Sequence, residues 1–207
     1  MARPRSYDQN LRRSLLDACS EVISRHGPDG VSLRDLARRV GTSTAAVYAL
    51  FGGRDELLAA VTAEGFARFA EHLARVRPTS DPAGDLLALG LAYRDSALDD
   101  PHFYRVMFGS APAPASAPAP TPVAAGDAVG PEPEPGVHSR EPFRMLEDAV
   151  GRLVPPERAA AGAYRLWALV HGLVSLELAG LLPGDAERRA QAYRETLLAG
   201  GPALLGR

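Results

Sequence analysis

Between Asp8 and Phe51 apolar residues recur at three- and four-residue steps, and glycine interrupts them at short intervals. Leu11, Leu15, Cys19, Val22 and Ile23 share one face of a helix running to His26. Gly27-Pro28 ends that helix. Ser32 can cap a second, with Asp35 three residues on forming a capping box in which Asp replaces the usual Glu or Gln. Leu33, Leu36, Ala37 and Val40 form its buried side, and Gly41 supplies a tight turn because it tolerates positive φ. Thr42 or Ser43 caps a third short helix ending near Phe51, and Gly52-Gly53 breaks the chain again.

The rest of the chain keeps the helical period. Asp55-Glu56 suit the positive end of a helix dipole and open a fourth helix carrying Leu57, Leu58, Val61, Phe66, Phe69 and Leu73 to about Arg77-Pro78. Further helices are expected over 81–98, over the segment 101–108 with Pro101 in its first turn, and near 141–153, 156–182 and 185–204. Nine of the 18 prolines fall between Pro112 and Pro142, a composition that cannot bury enough apolar surface to offset its ordering entropy. An extended or disordered linker is expected there, from about Ala111 to Ser139, with the helical pieces on either side packing together. No alternating strand pattern of useful length occurs, so the fold class read from the residues is all-α.

At 207 residues the chain has length for one or two domains with a buried core. Its single cysteine, Cys19, excludes an intramolecular disulfide and a cysteine-based zinc site, and its place on an apolar helix face reads as core rather than redox sensor. The most apolar stretch, 166–182, is interrupted by His171 and Glu177 and falls short of a bilayer span, and the basic N-terminus lacks the apolar run of a secretory signal. A cytoplasmic location without membrane contact is therefore expected. The net charge of −2 conceals a split: residues 1–54 hold nine arginines against five acids, leaving the remainder with six net negative charges. All 23 basic residues are arginine, a bias that says nothing by itself about function. No paired acids, Ser-His-Asp order, phosphate-binding glycine loop or metal spacing emerges, so no catalytic residue, metal or cofactor is expected.

Helix, glycine turn and short second helix over 32–51 make the sequence form of a helix-turn-helix. Such a motif braces its first helix on a duplex backbone and presents the N-terminal residues of its second in a major groove about 12 Å wide. With Val47 and Leu50 turned inward, Thr42, Ser43, Thr44, Ala45 and Tyr48 remain outside. Threonine hydroxyls and the methyl groups of Thr and Ala suit base edges and thymine, while Tyr48 suits a phosphate. Arg3 and Arg5 stand where an N-terminal arm could reach phosphates or a minor groove.

The run from Gly30 to Leu58, with Gly30, Ala37, Gly41, Tyr48, Phe51 and Arg54 at their spacings, resembles the tetracycline-repressor (TetR/AcrR) family. That resemblance implies an all-helical homodimer with a three-helix DNA-binding head over 9–69 and a ligand-binding and dimerisation domain over 70–207. Carried onto the matching positions, it places DNA contacts at Arg34, Thr44, Ala45, Tyr48 and Arg54, and Ser32 and Thr42 at the starts of the two helices are expected to join them. Arg54 stands where the family most often has lysine and is expected at a phosphate, so that replacing it should flatten the salt dependence by about one unit.

A second stretch, 164–180, is similar to a C-terminal domain of part of that family named for Trp-His-Gly, here Trp167, His171 and Gly172. An apolar pocket containing Phe103, Met107, Trp167 and His171 is expected to take a small-molecule effector, with His171 orienting it. Glu177 is open to three readings: a polar anchor of that pocket, an ion pair between subunits, or an exposed edge. The last two helices are expected to pair with their symmetry mates, the small residues Ala159 to Ala163 allowing close approach. The reading is a ligand-responsive repressor of a double-stranded DNA operator. An activator of the same family, or an enzyme or carrier using His171 and Glu177 for acid-base work, are the alternatives.

Overall fold

The computed structural model describes residues 5–108 and 137–206, the side chains of 5–7 and 137–140 excepted. Arg3 and the proline-rich residues 109–136 lie outside the described residues, so the arm and most of the linker expected there do too. Among the described residues all regular structure is helical. The order is α1 (Arg5–His26), a 3-10 turn (Pro28–Gly30), α2 (Leu33–Val40), α3 (Thr44–Phe51), α4 (Arg54–Leu73), α5 (Pro82–Asp99), α6 (Pro101–Phe108), α7 (Val137–Gly151), α8 (Pro156–Leu178) and α9 (Ala186–Leu204).

Two compact units are formed, one from Met1–Gly65 with His102–Val137, the other from Phe66–Pro101 with His138–Arg207. In the first, α1 buries Leu11, Leu15 and Cys19 as its period requires, and also Leu16 and Ala18. They meet Leu36 and Ala37 of α2, Val47 of α3, Leu57 and Val61 of α4 and Phe103 of α6 in one core. Phe103 reaches it because α4 has a glycine at the crossing: a Cβ on Gly65 would lie 2.8 Å from Met107 Cγ and 3.2 Å from Phe103 Cδ1. His102 adds a polar tie to α1, its Nδ1 lying 2.6 Å from Ser24 Oγ.

The second unit packs α5 against α8 and α9, with Leu89, Tyr93, Val170, Val174, Tyr193 and Leu197 buried. Val150, Val154, Ala159, Ala163, Leu166 and Leu205 form a further cluster at the base of α8. Gly162 belongs to it, since a Cβ there would meet Leu205 Cδ2 at 2.8 Å and Val150 Cγ1 at 3.0 Å. The small residues expected between subunits are thus divided. Ala159, Gly162 and Ala163 are buried within their own unit, and only Ala160 and Ala161 are exposed. The start of α5 is pinned by Asp85, which accepts from Thr79 N and Oγ1 at 2.7 Å each and from Arg152 Nη1 at 2.6 Å.

Helix ends differ from the sequence reading where chain reversal depends on more than one residue type. Helix α8 stops at Leu178 instead of 182, because Gly180 takes φ +70° and the N–H groups of Gly180 and Leu181 return to the Glu177 and Leu176 carbonyls. Helix α4 stops at Leu73, short of the Arg77-Pro78 break. Helix α1 begins at Arg5, so Arg5 lies within a helix and not in an extended arm. Helix α7 begins at Val137, inside the stretch read as linker, and contains Pro142.

Candidate nucleic-acid interface

The motif is assembled from local capping and one left-handed glycine. Ser32 Oγ accepts the Asp35 N–H at 3.3 Å, but Asp35 turns its carboxylate to Arg38 at 2.6 Å, so only half of a capping box is made. Gly41 sits at φ 74°, ψ 35°, and the Thr42 N–H closes back on the Ala37 carbonyl at 2.8 Å. Ser43, not Thr42, caps α3, its Oγ accepting from the Ala46 N–H at 3.1 Å.

These caps orient α3 so that Val47 is fully buried and Leu50 and Ala46 pack on the same core. Ala45, Ala49 and Tyr48 face outward, Tyr48 with 53% of its surface exposed, and Thr42 and Thr44 are half-buried beside them. Thr44, Ala45 and Tyr48 therefore share the outer side of one short helix, and Thr42 lies in the turn that leads into it. Ser32 is half-buried at the start of α2, and Arg34 is exposed on its first turn.

The arginines of the head are not equivalent. Arg25 pairs with Glu21 at 3.0 Å and Arg39 donates to the same carboxylate. The Arg39 hydrogen bond, with Arg25 beside it, holds Glu21 below the usual carboxylate range. Arg38 is paired with Asp35, and Arg12 lies over the Phe51 ring at 4.8 Å. Arg54 donates from Nη2 to the Pro28 carbonyl at 2.6 Å and from Nε to the Val31 carbonyl at 3.3 Å. Arg34 and Arg13 are exposed and free of ion pairs among the described residues. Of these pairings only Glu21–Arg25 and Asp35–Arg38 were readable in advance, from their four- and three-residue spacing on a helix.

The residues expected at an effector pocket fall into different units. Phe103 is buried in the first core and Met107 packs against Gly65 there. Trp167 and His171 belong to the second unit, their ring centroids 6.4 Å apart. His171 Nδ1 lies 3.1 Å from Tyr93 Oη, and Phe69 meets the Tyr93 ring edge-on at 5.0 Å. Burial pushes the His171 imidazole below its ordinary pKa. Phe143 closes the aromatic group, 5.7 Å from Trp167 and 4.5 Å from Tyr164. The sequence reading missed Tyr93, which sits one residue before Arg94 on α5.

Glu177 is not the exposed edge that one of its three readings allowed. It is a buried carboxylate within one chain, accepting both Nε and Nη2 of Arg94 at 2.7 and 2.6 Å, with Arg189 Nε at 3.3 Å. These hydrogen bonds hold it below the usual carboxylate range. Cys19 is buried in the first core, and that burial raises its thiol to about 12. Among the described residues no group of three or more His, Cys, Asp or Glu could hold a metal ion, and no helix is long and apolar enough to cross a membrane.

Residues 15–61 match the model of bacterial regulatory proteins of the tetR family, and residues 86–199 match a tetracyclin repressor-like C-terminal domain. The chain is 30% identical to the HTH-type transcriptional regulator Rv1816 of Mycobacterium tuberculosis over 198 residues, covering 84% of this chain and 80% of that protein. It is 38% identical over 65 residues to the HTH-type nicotine-responsive transcriptional repressor HdnoR of Paenarthrobacter nicotinovorans, covering 31% of this chain and 34% of that one. Among solved structures, the regulatory protein SCO4313 superposes with a TM-score of 0.66 at 27% identity, over 96% of this chain and all of that one. Its relatives are regulators and not enzymes, which removes the acid-base role considered for His171 and Glu177. The helix-turn-helix head, the all-helical second unit and both family matches together make this chain a member of the TetR family of DNA-binding transcriptional regulators.

Proposed function

We propose that the protein is a cytoplasmic, homodimeric repressor that binds a double-stranded operator of two-fold symmetry and leaves it when a small molecule binds. The observation that carries the DNA-facing part is the outer side of α3, where Ala45 and the half-exposed Tyr48 stand beside Thr44, together with Arg34 on α2, which is exposed and without an ion pair among the described residues. Thr42, Thr44 and Ala45 suit base edges in a major groove. Tyr48, Arg34 and the Ser32 hydroxyl, whose hydrogen has no acceptor among the described residues, suit phosphates.

Two observations support the remainder. Helix α8 leaves Ala168 and Leu176 exposed and α9 leaves Leu198, Ala199 and Pro202 exposed, Leu176 at 43% and Leu198 at 53%. Apolar residues on two packed antiparallel helices fit an isologous contact with a second copy. Trp167, His171 and Gly172 fit the Trp-His-Gly subgroup, and the cluster of Phe69, Tyr93, Trp167 and His171 has the mixture of aromatic surface and polar handles that a small-molecule site uses. One head relative is by its name a nicotine-responsive repressor, which favours ligand release.

The test is selection of preferred sites from a random duplex library, gel-shift of the best site across a salt series, and a compound screen for release. Sequence-selective, salt-sensitive binding by a dimer is expected; uniform binding to all duplexes, or none, overturns the reading.

A further inference from the structure

The geometry points to Arg54 as a clasp that closes the helix-turn-helix at its base and so positions the recognition helix, instead of a residue that holds a phosphate. The motif occupies 32–51. The segment just before it is the 3-10 turn and Val31, and the residue that opens the helix just after it is Arg54. One guanidinium joins these two ends, Nη2 donating to the Pro28 carbonyl at 2.6 Å and Nε to the Val31 carbonyl at 3.3 Å. The Pro28 oxygen also accepts the Val31 N–H at 3.0 Å, so the clasp and the turn share one acceptor. Nη1 lies 3.5 Å from Asp55 and Nη2 lies 3.7 Å from Asp29, so carboxylates flank the guanidinium on both sides.

Three consequences follow from that arrangement. A planar fork with donors in fixed directions can hold two carbonyls at once, which an ammonium on a flexible stem does not reproduce. Neighbouring carboxylates offset the charge that a phosphate would feel, so Arg54 contributes little to counterion release. The clasp also ties the entry into α2 to the start of α4, and Val47 of α3 is buried in one core with Leu36 and Ala37 of α2 and Leu57 of α4, so the direction of the Thr44–Tyr48 face depends on it. Arg54 is thus a positioning residue. The inference rests on the DNA-binding reading above.

The experiment measures binding of the full chain to its selected site and to random duplex across a salt series, for wild type, Arg54→Gln, Arg54→Lys and, as a surface reference, Arg34→Gln. Thermal melts and hydrogen exchange at the Val31 amide are recorded on the same samples. Wild-type selectivity for the selected site tests the reading itself; its absence sinks that reading and the clasp with it. Given wild-type selectivity, the clasp predicts that both Arg54 variants lose about tenfold in specific affinity with an unchanged salt slope and nearly unchanged random-duplex binding. The Val31 amide should exchange faster in both. Arg34→Gln should instead lower the slope by about one unit. A slope lowered by about one in Arg54→Gln and restored in Arg54→Lys identifies a phosphate contact and overturns the clasp. Equal loss on both duplexes, tracking loss of the folded fraction in the melts, also overturns it, since that is a general stability role.

Discussion

Arg94 and Glu177 form a two-pronged ion pair 83 positions apart in the chain, with side chains only 10% and 5% exposed. Arg94 also lies over the Tyr193 ring at 5.7 Å, and Glu177 receives Arg189 from α9, so α5, α8 and α9 meet at one carboxylate. Removing it leaves a buried guanidinium without its counter-charge. Glu177→Ala is expected to destabilise the fold by about 3 kcal/mol, seen as a lower urea midpoint at unchanged slope. A loss under about 0.5 kcal/mol would show that water reaches the site and screens the pair.

Acid should unfold the protein through two carboxylates in the second unit. Asp85 is held at about 2 by the Thr79 N–H, the Thr79 hydroxyl and Arg152, and Glu177 is also held low, by Arg94 first. A carboxylate lowered in the folded state stabilises fully above its unfolded pKa of about 4 and loses that contribution as pH falls toward its folded value. The melting temperature should therefore fall steeply between about pH 4 and pH 2. Asp85→Asn should melt lower at neutral pH and show a shallower acid slope; an acid slope equal to wild type would mean Asp85 does not carry the transition.

Cys19 should behave as an inert thiol. Its burial pushes the pKa up to about 12, so the thiolate fraction at neutral pH is negligible. A thiol-exchange reagent should leave native protein unmodified over hours and react at once in denaturant. Rapid native labelling would reopen the redox reading.

Gly41 isolates the cost of a backbone conformation, because a Cβ there has nothing within 4 Å yet φ is +74°. Gly41→Ala is expected to cost about 1 kcal/mol and Gly41→Asn less, since Asn tolerates the left-handed region. Thermal melts of both variants decide this, and equal costs would place the strain elsewhere.

On α3 the outward residues should divide by role. Thr44→Val and Ala45→Ser are expected to change the preferred operator sequence, while Tyr48→Phe should weaken all sequences alike. Re-selection of sites with each variant separates the two. A uniform affinity change from Thr44→Val would remove that residue from the base-reading set.

The helix-turn-helix was legible before any coordinates because everything that makes it is local. A serine three residues before the N–H it caps, an apolar step of three or four, and a glycine at the one left-handed position are encoded within twenty residues, and Ser32, Gly41, Ser43 and Val47 all do in space what their spacing requires. The same residues could not say which arginines are available to DNA. Nine arginines in the head read as one basic surface, yet Arg12, Arg25, Arg38, Arg39 and Arg54 each find an internal partner. Packing also drew Phe103 into the first core, turned Gly162 toward Leu205, and joined Glu177 to Arg94. The physical reason is the range of the interactions. Caps and helical periods are decided within a turn or two of backbone, whereas an ion pair or a close helix crossing depends on which distant surfaces the whole chain brings together.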